Sequence, residues 1–169
     1  MSHKLYGKYR GAVLNNIDPM GRGRIIAEVP DALGISPSAW AEACAPLAGV
    51  QSGVFLVPEI GAGVWIEFER GDPDFPIWTG CRWQSSANVP PLAQTGPPAT
   101  PPIVLQTPGG GALMLSDAPG AAGGILLTTA GGATITISDA GISLANGKGA
   151  VITLIGPTVD VNNGAWTVT

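Results

Sequence analysis

Histidine is nearly absent from this chain of 169 residues: His3 is the single one, on an N-terminal stretch without regular pattern. Most chemistry that relies on an imidazole near neutral pH therefore has no residue to perform it. Cysteine is almost as scarce. Cys44 and Cys81 are too few and too far apart for a disulfide framework or a four-ligand zinc site, and they read as two buried thiols. Charge is thin as well, with 8 Lys or Arg against 12 Asp or Glu and a net charge of −4. A nucleic-acid binder needs a basic stripe to neutralise phosphates, so that class is disfavoured. No apolar run reaches the ~18 residues of a membrane-spanning helix. The N-terminal MSHKLYGKYRG has basic residues but no apolar core behind them, so no secretory signal is expected. What is abundant is glycine (25), proline (16) and hydrophobic side chains (45%). That much apolar surface has to be buried within the chain or against another one.

The composition divides the sequence in two. Residues 1–88 carry seven Lys or Arg and nine Asp or Glu, whereas residues 89–169 carry only Lys148, Asp117, Asp139 and Asp160. The proline-dense stretch PPLAQTGPPATPP at 90–102 favours an extended connector between them. The expected organisation is a barrel domain over 1–88, a Pro/Gly-rich connector over 89–111 and a β-structured needle over 112–169.

In the first half, GAVLN at 11–15 and RIIAEV at 24–29 flank the turn sequence Asp18-Pro19-Met20-Gly21. Gly53–Val57 follows, then GVWIEF at 63–68 with alternating Val64, Ile66 and Phe68, then PIWTGCRW at 76–83. Residues 31–43 read as one short helix or an irregular turn. About five short strands with turns between them suggest a small Greek-key barrel of the OB type. In the second half, apolar triplets recur at Leu113–Leu115, Ile125–Leu127, Ile135–Ile137, Ile142–Leu144, Ile152–Leu154, Val159–Val161 and Trp166–Val168, separated by Gly, Asp, Asn or Pro. Strands this short need a partner layer. Their other face is weakly polar (Thr134, Thr136, Ser138, Ser143, Thr153), and so few charges would leave hazardous edges on a monomer. The closure expected is an intertwined trimeric β-helix or β-prism, making the whole chain all-β. The trimer core is expected to include Ile135, Ile137, Ile152 and Leu154, although their positions in the strands leave open which alternating set faces inward.

The residues YGKYRGAVLNNIDPMGRGRIIAEVPDALG at 6–34, Trp40, and GVFLVPEIGAGVWIEFERGDPDFPIWTGCRW at 53–83 resemble the central spike family that includes phage baseplate assembly protein V and the VgrG proteins. The C-terminal half resembles its needle in type, as a Gly- and Thr-rich β-prism. The resemblance implies a homotrimer whose needle is driven through a target envelope when a contractile sheath shortens, in a phage tail, tailocin or extracellular injection system. It further implies assembly in the cytoplasm, then residence in a virion or extracellular particle. The family pattern starts at Tyr6, which implies that the hub at the OB end is a separate protein. The short connector implies no inserted lysozyme domain. No His-x-His pair is present for an iron-bound tip, which leaves a PAAR-like partner docking at Trp166, Val168 and Thr169.

Competing readings rest on fewer residues. Trp65, Trp78 and Trp83 suggest an OB-fold carbohydrate- or nucleic-acid-binding module with stacking platforms. Asp117, Asp139 and Asp160 could be acids of a polysaccharide hydrolase, but Asx-turn capping explains Asp117 and Asp139 better, and paired carboxylates are missing. Glu59, Glu67, Glu69, Asp72 and Asp74 form a negative patch without EF-hand spacing. Gly109-Gly110-Gly111 lacks the context of a phosphate loop and reads as slack between barrel and needle. Neither an enzyme nor a cofactor is expected.

Overall fold

A computed structural model describes residues 4–168 of the chain. They form two compact units divided after Asn88. The first is a barrel made from β1 (Tyr9–Asn15), β2 (Ile26–Glu28), β3 (Glu42–Ala43), β6 (Gly63–Phe68) and β7 (Pro76–Arg82), in the order β2-β1-β6-β7-β3. All neighbours pair antiparallel except β3 and β7, which run parallel. A bridge between Ile25 and Ala41 brings the two edges together. That combination is the OB topology. On β6 the alternation seen in the sequence turns Val64, Ile66 and Phe68 inward. They meet Val13, Ile25, Ala27, Val29, Ala41 and Trp78 in one cluster. Gly11 lets β1 and β2 approach: a Cβ there would sit 2.8 Å from the Glu28 carbonyl oxygen.

Two details of the barrel differ from the sequence reading. Residues 31–43 contain the short helix α1 (Pro30–Leu33) but also β3, the strand that closes the barrel. A two-residue parallel strand leaves no periodic signal, because its partner lies more than thirty positions along the chain. Gly53–Val57 is not a barrel strand; Ser52–Gly53 is β5, the second arm of a small hairpin with β4 (Ala48–Gly49). Cys44 and Cys81 are exposed rather than buried. The first follows β3 as it leaves the barrel, and the second lies on β7 beyond Trp78, its last buried residue.

The second unit is one eight-stranded antiparallel meander. Its strands are β8 (Ile103–Gln106), β9 (Ala112–Ser116), β10 (Gly124–Thr128), β11 (Thr134–Ser138), β12 (Gly141–Ala145), β13 (Val151–Ile155), β14 (Thr158–Val161) and β15 (Trp166–Val168). All seven apolar triplets of the sequence are strands. The eighth, β8, falls within 89–111, so the connector is shorter than expected and the sheet begins at Ile103. Gly109–Gly111 correspondingly belong to the β8–β9 hairpin, where Thr107 N–H donates to the Gly111 carbonyl at 2.8 Å. Gly124, at φ +91°, opens β10 where a Cβ would run into the Ile137 carbonyl. Among the described residues no helix is long and apolar enough to cross a membrane.

The β1–β2 loop of the barrel is locked by one carboxylate. Asp18 accepts from Arg24 Nε at 3.1 Å and Nη2 at 2.7 Å, and from the backbone N–H groups of Met20, Arg22 and Arg24. Its side chain is 3% exposed. The Arg24 guanidinium lies 5.4 Å from the Trp40 ring centroid. The hydrogen bonds from Arg24 hold the Asp18 carboxyl far below its ordinary value of 3.8, against the opposing effect of burial. A carboxylate whose pKa is depressed on folding stabilises fully above its unfolded value, and loses that contribution as the pH falls toward the folded one. Acid unfolding of the full chain from about pH 5 to pH 2 should therefore show a steep loss of barrel stability that Asp18→Asn flattens. Equal pH slopes for the two proteins would show that the pair contributes nothing.

Candidate functional site

Cross-strand register builds the most conspicuous surface of the second unit. Ile103, Leu115, Ile125, Ile137, Ile142, Leu154, Val159 and Val168 stand opposite one another from β8 to β15 as one column. Leu105, Leu113, Leu127, Ile135, Leu144, Ile152, Val161 and Trp166 form a second column on the same face. Twelve of these sixteen side chains are 37% exposed or more in the single chain. Leu127, Ile135, Leu144, Ile152 and Val161 of the second column line an apolar groove of about 690 Å³. The other face has Val104, Met114 and Leu126 on its first three strands, then Thr136, Ser143, Thr153 and Asp160.

The face is held flat and in register by its hairpins. Asn146 Oδ1 accepts from the N–H groups of Lys148 and Ala150, closing the β12–β13 turn. At the β14–β15 turn Asn162 and Asn163 both adopt positive φ, near 52° and 54°. Asn162 Oδ1 accepts from Val151 N–H at 2.9 Å, tying that turn back to β13. Short polar side chains suit these turns because they tolerate the left-handed region and bond the local backbone.

The four residues expected in the trimer core lie together. Ile135 pairs across β12 with Ile152 through Leu144, and Ile137 with Leu154 through Ile142. Their numbering parities differ because the register across the short β11–β12 turn sets odd-numbered positions opposite even-numbered ones, so both parities stand on one face. Trp166 and Val168, expected at a docking rim, stand in the same two columns. Thr169 lies outside the described residues, as does His3.

The residues of the competing readings are dispersed. Trp78 is buried, and its Nε1 donates to the Gly23 carbonyl at 3.0 Å, so it offers no stacking face. Trp65 is half-buried on β6, and Trp83 is exposed beyond β7. Asp139 accepts from Gly120 N–H and Asp160 from Gly164 N–H, both at turns. At the turn holding Asp117, it is Ser116 Oγ that accepts from Ala118 N–H. Glu67 pairs with Lys8 at 3.1 Å and Asp72 with Lys4 at 3.8 Å. Among the described residues no group of three or more His, Cys, Asp or Glu is placed to hold a metal ion.

Comparison with known proteins accounts for both units. Residues 9–83 match the family described as the type VI secretion system/phage-baseplate injector OB domain. Residues 102–167 match the phage baseplate V C-terminal trimerisation domain. The actin cross-linking toxin VgrG1 of Vibrio cholerae serotype O1 is 44% identical over 54 residues. That match covers 32% of this chain and 5% of the toxin, so the chain spans a small part of that relative. Every residue of the two exposed columns except Val168 lies within the segment that matches the trimerisation domain.

Replacing Ile135 and Ile137 together by Asp would place two carboxylates on this face in each of three copies. An unpaired charge forced into an apolar contact costs several kcal/mol. The double variant should lose its trimeric mass by sedimentation and unfold at a lower temperature. Retention of both would mean that the other face, with Thr136, is the inner one.

Proposed function

Because the chain belongs to the phage baseplate V/VgrG-like central spike family, we propose that it is the non-enzymatic central spike of a contractile injection machine, a phage tail, tailocin or extracellular injection system. The observation that carries this reading is the pair of in-register apolar columns, sixteen residues long in total, on a sheet with few charges. Three such sheets, packed face to face around an axis, make a triangular shaft with an Ile/Leu interior and a hydroxyl-bearing exterior. Fully burying one Ile or Leu side chain contributes about 1.5–3 kcal/mol. Even half of that, summed over the twelve Ile and Leu of the face, is about 9–18 kcal/mol per chain, comparable with the ~5–15 kcal/mol by which domains are ordinarily stable. Eight strands stacked along the axis at roughly 4.8 Å give a shaft about 34 Å long. Every strand-to-strand step is a hydrogen-bonded ladder, which suits a part that has to bear a compressive load while piercing an envelope.

In this reading the barrel end meets a separate hub protein, and a PAAR-like tip protein meets the far end. Support for the second contact is the edge of β15, which is the terminal strand of its sheet among the described residues. An unpaired strand edge is a template for another chain. The particle is assembled before release, and neighbouring genes for capsid and portal would distinguish a phage tail from the other machines.

Sedimentation of the full chain should give three times the 17.1 kDa chain mass, and the trimer should persist on dilution. A stably folded monomer would overturn the spike. Deleting residues 103–169 should leave a folded barrel with weaker self-association. Removing 165–169 should abolish co-purification of the tip protein while sparing the trimer; a truncated trimer that still binds its tip would refute docking at this end.

A further inference from the structure

The two columns change composition at one place. On β8 through β13 all twelve positions are Ile or Leu. On β14 and β15 they are Val159, Val161, Val168 and Trp166. Trp166 stands directly across from Val161 and beside the Val159–Val168 pair. Asp160, the strand neighbour of Val161, takes the opposite face. The last two strands therefore combine the largest side chain on the face with the smallest apolar ones on it.

We infer that Trp166 is an interior residue of the trimer, where three indoles, one from each copy, form an aromatic layer filled out by the valines around them. The inference rests on the trimeric-shaft reading. Its argument is continuity: Trp166 belongs to the same column as Ile135 and Ile152, and it lies within the segment matching the trimerisation domain. A sheet face that packs on a partner at six strands presents its seventh and eighth strands to the same partner, unless the register changes. It does not change here, since β13–β14 and β14–β15 pair without a bulge. Interiors hold a nearly constant packing density, so a bulky side chain is accommodated where its neighbours are trimmed. Each Ile or Leu to Val step removes one methylene, and these steps fall only on the two strands next to the indole. The 62% exposure of Trp166 in the single chain is then the surface that the other two copies cover. A tip protein would meet the backbone edge of β15 rather than this ring.

The test is fluorescence of the full chain against its Trp166→Phe variant, a conservative change that retains an aromatic ring. Subtracting the two spectra isolates Trp166 from Trp40, Trp65, Trp78 and Trp83. The difference spectrum should be blue-shifted and several-fold less sensitive to acrylamide than a free indole. A red-shifted, readily quenched difference signal from a protein that still sediments as a trimer would overturn the inference alone. Sedimentation as a monomer would overturn the trimeric shaft together with it. As a second measurement, Val161→Leu should lower the thermal midpoint of the wild-type chain but be tolerated beside Trp166→Leu. Equal shifts in the two backgrounds would count against a packed layer at β14–β15.

Discussion

A single-layer sheet has two faces and no interior, so an apolar face on it has to be covered by something outside the layer. The C-terminal unit of this protein is such a layer. Among its described residues Ala112 is the one hydrophobic side chain that is buried in the single chain. In the proposed shaft the sixteen residues of the face take from neighbouring copies the environment that a core would ordinarily supply, so that trimerisation becomes part of folding.

The barrel meets the same requirement by the opposite route. Its sheet curls until its edge strands β2 and β3 approach at the Ile25–Ala41 bridge, so that Val13, Ile25, Val64 and Ile66 are enclosed by their own chain. Charges follow this division. A closed barrel has an outer surface in water that accepts Lys8–Glu67 and Arg22–Glu42 pairs at little cost. The C-terminal sheet carries its charges between strands, at Asp117, Asp139 and Lys148, and on the face opposite the columns, at Asp160. The compositional break in the chain thus reflects two ways of closing a sheet.

A spike in an injection particle needs stiffness more than it needs a reactive centre, and the arrangement supplies it. Connections of two to seven residues leave little slack between strands, and Asn146 and Asn162 use side-chain oxygens to bond turn and strand backbone. The two columns are uniform in Ile and Leu from β8 to β13 and change to Val and Trp on β14 and β15. Uniform layers would allow neighbouring sheets to slide by a strand without changing what they contact; in the proposed shaft an odd-sized layer of one Trp and three Val from each copy would oppose such slippage.

Much of this was legible without coordinates. Seven of the eight needle strands were visible because Ile, Leu and Val recur in triplets between turn residues, and a period of two survives any later packing. The family resemblance was carried by 6–34 and 53–83, which contain β1, β2, β6 and β7. What the sequence alone left open were the features that depend on residues far apart. β3 is a strand only because β7 lies beside it, and β8 is a strand only because β9 pairs with it, despite the prolines just before it. Which of these Ile and Leu share a face was likewise undecided, since numbering parity is kept at some hairpins and changed at others, and only the register settles it. Trp166 makes the same point: in sequence it stands at the end of a short strand, and it is the pairing with Val161 that places it in line with the Ile and Leu column. Local pattern determined where most of the strands are, and long-range pairing decided which side chains of different strands share a face.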